Sequence, residues 1–421
     1  MLDIRVIRDN PDLVKKGAAL KRVEADVDAI LALDTQRRST LTRADELKAE
    51  RNTLSAEVGK RLKARENADD LKERVRQIGD DIKTLDEKAD GIDAELRQLL
   101  LCVPNLPHES VPEGAGEEEN RVVRHWGEKP TFDFAPRPHW EIGEERGFIR
   151  FDQGARVSGS GFIVYAGAGA RLQRGLINFM LDMHVDRHGY REVQTPFLVT
   201  RDAMTGTGQL PKFEDQAYRV SEDDLFLIPT AEVPVTNLNR EEILNGADLP
   251  LNLVCHTPCF RREAGAAGRE NRGITRIHQF DKVEMVKVVR PEESYEQLDI
   301  LLQQAEDVLQ ALGLHYRVVE ICSGDLGFSN ARQFDLEVWA PGMDRYLEVS
   351  SCSNFTDYQA RRMNMRFRRE AKSKPEFVHT LNGSGLALPR TMIAVLEGYQ
   401  QADGSIRVPE ALRDFMGCDA I

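Results

Sequence analysis

The chain has 421 residues, 41% of them hydrophobic, enough for a buried core in two or three domains. It carries 70 acidic against 57 basic residues, a formal net charge of −13, so any affinity for polyanions must rest on local clusters of Lys and Arg. No apolar run approaches the roughly 18 residues that span a bilayer, the N-terminus MLDIRVIRDNPDLVKKG has no apolar signal core, and the cysteines form no C-x-x-C pair, so a cytoplasmic protein with neither structural zinc nor a disulfide framework is expected.

In chain order, the clearest periodicity is Leu71, Val75, Ile78, Ile82, Leu85, Ala89, Ile92, Leu96 and Leu99, spaced alternately four and three apart as in one strand of a coiled coil. Leu33, Leu41, Ala44, Leu47, Leu54, Val58 and Leu62 offer a weaker partner seam, and the polar KARENADD separates the two. A short break between long helices predicts an antiparallel hairpin, whose arms of about 30 residues would be roughly 45 Å long. Near its turn stand Lys60, Arg61, Lys63 and Arg65. On charge alone this run reads as a solvated helix face, with a phosphate-tracking tip as the other reading.

The composition then shifts to CVPNLPHESVPEGAGEEEN, a linker over 105–130 between a first domain, 1–104, and a second, 131–421. In the second, strand-like YREVQTP, LFLIP, FDLEVW and RYLEVSS mix with helical windows near 168–188, 292–312 and 388–400, without regular βαβ alternation. An α+β fold with a mainly antiparallel sheet flanked by helices is expected. Within RIHQFDKVE, strand alternation would put Arg276, His278, Phe280, Lys282 and Glu284 on one face and Ile277 on the other. Arg261 and Glu263 would share a face at the end of the preceding strand, across the loop GAAGRENRG. Arginines, acids and a ring aimed at one volume suit an anionic, flat and polar ligand, and ATP fits. The chain has no G-x-x-x-x-G-K-[ST] loop, so such a site must follow another plan.

CFRREAG followed by RGITRIHQFDKVE resembles motif 2 (about 259–284) of the bacterial seryl-tRNA synthetases, a class II family. GARLQRGLINFMLDMHVDRHGYREVQTP resembles motif 1 (about 169–196), GSGLALPRTMIAVLE motif 3 (about 383–397), and the helical hairpin the family's tRNA-binding arm. IPTAEVP and YLEVSSCSNFTDYQARR match stretches around the family's active site. The resemblance implies a homodimer that joins L-serine to tRNA(Ser), and to tRNA(Sec) where present, through a seryl-adenylate formed from ATP with Mg²⁺.

It also implies residue roles. Arg261 would bridge the α-phosphate and the serine carboxylate, Arg390 would hold the γ-phosphate, and Phe280 would stack on adenine. Arg262, Glu263, Arg276, Ile277, Val349 and Ser350 complete the ATP set, with Glu348 and Ser351 as metal and nucleotide contacts. Thr230, Ala231, Glu232, Glu284, Asn382 and Ser384, with Arg261, would bind serine. Lys60, Arg61, Lys63 and Arg65 become tRNA contacts in that context. Two positions depart from the family pattern: Pro389, which suits the first turn of a helix, and Gly398, where Asn is common. His184 and His188, four apart, lack the Glu of H-E-x-x-H and are not read as metal ligands. The rival readings are a class II relative that loads a small amino acid on a carrier protein, and a non-catalytic coiled-coil binding protein.

Overall fold

The computed structural model of the protein describes residues 1–263 and 272–421. The chain divides into two compact units, Met1–Pro104 and Asn105–Ile421.

In the first unit, helices α1 (Val27–Lys63) and α2 (Asp69–Leu101) pair as an antiparallel hairpin. The Asp26 carboxylate caps α1 by accepting from the Ala29 N–H at 2.9 Å, and Asp69 and Asp70 place negative charge in the first turn of α2, where the helix dipole favours it. With 37 and 33 residues the helices exceed the expected arms and reach roughly 50 Å. On α2 the expected seam is the packed one, with Ile78, Ile82, Ala89, Ile92 and Leu96 buried. On α1 the seam differs from expectation: Asp34 and Thr40 are buried beside Ala44 and Leu47, while Leu62 is exposed. Asp34 tolerates burial because Arg8 grips both its oxygens at 2.8 and 2.9 Å, and these bonds hold its carboxyl below the usual range against the effect of burial. Arg37–Asp93, Lys48–Asp86 and Arg74–Glu50 join the two helices along their solvent edges.

In the second unit eight strands form one sheet: β1 (Arg121–Trp126), β2 (Arg191–Glu192), β3 (Leu251–Phe260), β4 (Gln279–Val289), β5 (Tyr316–Glu320), β6 (Arg332–Ala340), β7 (Arg345–Asn354) and β8 (His379–Ala387). Their order is β1-β5-β6-β7-β8-β4-β3-β2, antiparallel except where β2 runs parallel to β3. Helix α3 (Ala168–Asp182) buries Leu172, Leu176, Phe179 and Met180, a stripe of helical period. A short helix, α4 (Arg201–Thr207), follows β2, and α5 (Ser294–Ala311) packs on β7 and β8. The nearly all-buried α6 (Leu388–Gly398) carries Pro389 in its first turn, as expected. Apolar residues of α3, α5, α6 and the central strands share one core. Because β4 is covered on both faces, it is buried almost continuously from Lys282 onward.

Candidate active site

The β3–β4 hairpin departs from expectation at its tip. Regular pairing stops at Phe260 and resumes at Gln279, so Arg261, Glu263, Arg276 and Ile277 lie beyond the ladder. The Arg261 N–H still donates to the His278 carbonyl at 2.9 Å, which closes the neck of the loop. The glycine-rich loop GAAGRENRG lies, through residue 271, outside the described residues. Next to Arg276, Ile277 borders the same cavity while its side chain is buried in the apolar core. His278 instead donates from its Nδ1–H to the Arg261 carbonyl (2.9 Å) and stacks on Phe162, away from that cavity.

The cavity has a volume of about 440 Å³. Its walls bring together Thr230, Glu232, Arg261, Glu263, Arg276, Ile277, Phe280, Glu284, Glu348, Val349, Ser351, Asn382, Ser384 and Arg390. Three residues expected at the site do not line it. Ala231 is fully buried behind the wall, and Ser350 is turned away so that its hydroxyl donates to the Ser384 carbonyl at 2.7 Å. Arg262 points outward, its guanidinium 6.0 Å from the Tyr218 ring.

One end of the cavity is acidic and dry. Phe280, Lys282 and Glu284 do share a face of β4, and strand register sets Glu284 opposite Ser384 on β8. Glu284 is 1% exposed; Asn382 donates to its Oε1 at 2.9 Å and the Lys282 ammonium pairs with its Oε2. Glu232, 8% exposed, begins a short helix, where Gln359 donates to it at 2.6 Å and is itself fixed by the Thr380 hydroxyl at 2.7 Å. Burial, reinforced by the Glu284 charge, pushes the Glu232 carboxyl up to about 7. Two facing carboxylates, only one of them held by a lysine, leave room for one more cation.

The other end is cationic and open. Arg276 pairs with Glu263 at 3.1 Å, and the Arg261 guanidinium lies 5.1 Å from the Phe280 ring while its Nε donates to the Pro229 carbonyl at 3.3 Å. Arg390, in the first turn of α6, donates to the Glu348 carbonyl at 2.7 Å. The Ser351 hydroxyl donates to Glu348 Oε1 at 3.0 Å. Behind them the register of β6 and β7 puts Asp335 opposite Ser351. Burial, then the Glu348 charge, pushes Asp335 well above the usual carboxylate range; Glu348, although burial opposes it, is held below by Arg390 and the Ser351 hydroxyl. A carboxylate kept ionised beside a hydroxyl is a donor set that fits a hard divalent cation.

Sequence reasoning named Lys282 on the Glu284 face without giving it a part in the site. Asn330 and Gln333, joined at 2.6 Å, also line the cavity, as do Gln209 and Phe213. These four stand outside the recognisable motifs, so only the folded chain reveals them. His184 and His188 face each other at 3.0 Å, and His188 meets Asp307 at 3.1 Å. At the hairpin turn Arg61 pairs with Asp70 and Lys60 with Glu57, while among the described residues Lys63 and Arg65 have no ion-pair partner.

An antiparallel sheet crossed by a hairpin with arginines at its neck, closed by an arginine at the start of a buried helix, defines a class II aminoacyl-tRNA synthetase. Residues 212–399 match the family model for the tRNA synthetase class II core domain (G, H, P, S and T), and residues 1–107 that for the seryl-tRNA synthetase N-terminal domain. The serine–tRNA ligase of Geobacter sulfurreducens is 54% identical over 99% of both chains. The seryl-tRNA synthetase of Pyrococcus horikoshii, solved in complex with ATP, superposes with a TM-score of 0.94 at 39% identity, covering 100% of this chain and 99% of that one. The cytoplasmic enzyme of Naegleria fowleri, solved with AMP, gives 0.89 at 31% identity, covering 100% and 98%. The chain belongs to the seryl-tRNA synthetase family, and its activity is the ligation of serine to tRNA. Among the described residues no helix is long and apolar enough to cross a membrane.

Proposed function

We propose that the cavity activates L-serine with ATP at its open end and holds the amino acid at its dry end. The observation that carries this reading is the pair Glu232 and Glu284, buried with Asn382 and Ser384 in the same cavity as Arg261, Arg276 and Arg390. Thr230 and Glu232 would receive the serine ammonium, the missing cation between the two acids. Glu284 would accept the serine hydroxyl, with Asn382 and Ser384 beside it. A carboxylate desolvated for that bond is left short of a partner by alanine, the basis for rejecting it.

Arg261, at the open end beside Phe280, would hold the serine carboxylate against the α-phosphate. The carboxylate oxygen attacks the α-phosphorus, the bond to the bridging oxygen breaks, and pyrophosphate leaves. Since this nucleophile is already ionised, no strong base is required, and orientation with charge neutralisation supplies the rate. Phe280 would stack on adenine, with Glu263 beside the nucleotide, Arg276 near the phosphates and Arg390 on the γ-phosphate. Glu348 and Ser351 are the residues that would hold Mg²⁺, which when bound neutralises phosphate charge. A ribose hydroxyl at the 3′ end of tRNA(Ser), or of tRNA(Sec) where present, then takes the seryl group and AMP departs. Lys60, Arg61, Lys63 and Arg65 would meet the tRNA backbone, in a homodimeric enzyme of the cytoplasm.

Amino-acid-dependent ATP–pyrophosphate exchange with Mg²⁺, run across all twenty amino acids, tests the reading. Exchange with serine alone is expected. Exchange with alanine or glycine would favour carrier loading, and none at all would favour a binding protein.

A further inference from the structure

One stretch of the cavity wall is left unused by ATP and serine as assigned above. Helix α4 ends at Gly208, whose φ is +92° and where an added Cβ would lie 2.2 Å from Ser329 Oγ. That turn is pinned by the Gln209 N–H donating to the Met204 carbonyl (3.0 Å) and the Phe213 N–H donating to the Gln209 carbonyl (2.9 Å). It carries Phe213 to the cavity wall, which Phe328 also lines, with Lys212 beside both rings. Phe213 is 37% exposed, so a face of its ring is accessible at the cavity wall. The Lys212 ammonium lies 5.5 Å from the Phe213 ring and 4.9 Å from that of Phe328. Arg276, Lys282 and Arg390 each have a carboxylate partner. Among the described residues Lys212 forms no ion pair, and partial burial pushes its ammonium below the usual lysine range. A cation short of an anion beside an exposed ring is the pairing that single-stranded nucleic acid recognises, phosphate on the charge and base on the ring.

We propose that this stretch of wall binds the 3′-terminal nucleotide of tRNA, its base laid on Phe213 and its phosphate on Lys212, so that its ribose hydroxyl faces the seryl group inside. The inference rests on the serine–ATP assignment, because it takes the wall that assignment leaves free. The same chemistry could serve ATP, and the two sources separate by step: adenylate formation needs ATP, whereas seryl transfer needs the tRNA end.

The test compares full-length Lys212→Met and Phe213→Ala with the unaltered chain in two assays, serine-dependent pyrophosphate exchange and single-turnover transfer from preformed seryl-adenylate to tRNA(Ser). Exchange is expected to stay within about twofold while transfer slows by roughly tenfold or more, the scale of one lost stacking contact. Phe213→Trp, which keeps a stacking face, should restore transfer. Competition binding adds a readout that a packing defect would not move: the preference of the unaltered chain for intact tRNA over tRNA lacking its last nucleotide should vanish in both variants. Unchanged transfer would overturn the proposal, as would a raised KM for ATP or an equal fall in both assays. No exchange by the unaltered chain would instead overturn the serine–ATP assignment itself.

Discussion

The two ends of the cavity are built on opposite plans. At the end assigned to serine, Thr230, Glu232, Glu284, Asn382 and Ser384 are all buried, and their partners are in turn held by strand register and by the Gln359–Thr380 bond. At the end assigned to ATP, Arg261 is exposed and Arg276 keeps 45% of its side chain accessible, and Arg261, Glu263 and Arg276 lie beyond the paired strands. The difference follows from what each end must read. A serine hydroxyl differs from a hydrogen only by hydrogen bonding, which discriminates strongly where a lost bond leaves a buried group unpaired. A polyphosphate carries several charges, and arginine forks grip it while partly solvated.

The largest effect should therefore come from the dry end. Glu284→Gln nearly preserves shape but removes the charge that Lys282 faces and the strong acceptor for a hydroxyl. Serine-dependent exchange is expected to fall by about 10³-fold or more in kcat/KM, with the KM for ATP little changed. A loss below tenfold would mean that the acid is structural and the contrast between the ends is false.

At the open end the expected loss is smaller and differently divided. Arg390→Ala removes one of several cations around the phosphates, so exchange should slow by about 10²-fold. The effect should appear in kcat and the KM for ATP, not in the KM for serine. Were serine binding to weaken equally, the two ends would not be separable and the arginine would be holding the whole pocket together.

The same contrast explains what the sequence revealed. The α2 seam, the helices over 168–188, 292–312 and 388–400 and the β4 face of Phe280, Lys282 and Glu284 obey simple periods, and the structure contains them. Asp34 in the hairpin seam was not legible because its partner Arg8 is 26 residues away. Ile277 lies just outside the ladder, which begins at Gln279, so the period of two does not by itself fix its surroundings; it is buried in the core while still bordering the cavity. Ala231 and Ser350, adjacent to lining residues, point into the core because neighbours on a strand or helix turn different ways. Asn330, Gln333, Gln209 and Phe213 reach the cavity from irregular segments, where no period exists to be read.

The remaining expected effect is on stability, not on activity, and has the opposite sign. The Glu232 carboxyl is raised by burial and by Glu284 to about 7, from an ordinary value of 4.5. Between those two values the folded chain keeps a proton that the unfolded chain releases, so folding is favoured at the low end and that contribution is lost as pH rises, fully above about 7. At roughly 1.4 kcal/mol per unit, the ionised Glu232 destabilises the ligand-free protein by about 3 kcal/mol at pH 8. Glu232→Gln, which can still accept from Gln359, should thus raise the melting temperature by a few degrees at pH 8 and leave it nearly unchanged at pH 4. Serine should narrow the gap at pH 8, because its ammonium would favour the ionised carboxylate of the unaltered chain and find no charge in the variant. Equal melting of the two chains at pH 8 would show that Glu232 is already satisfied without a ligand, and the dry end would then lack the tension that reserves it for a cation.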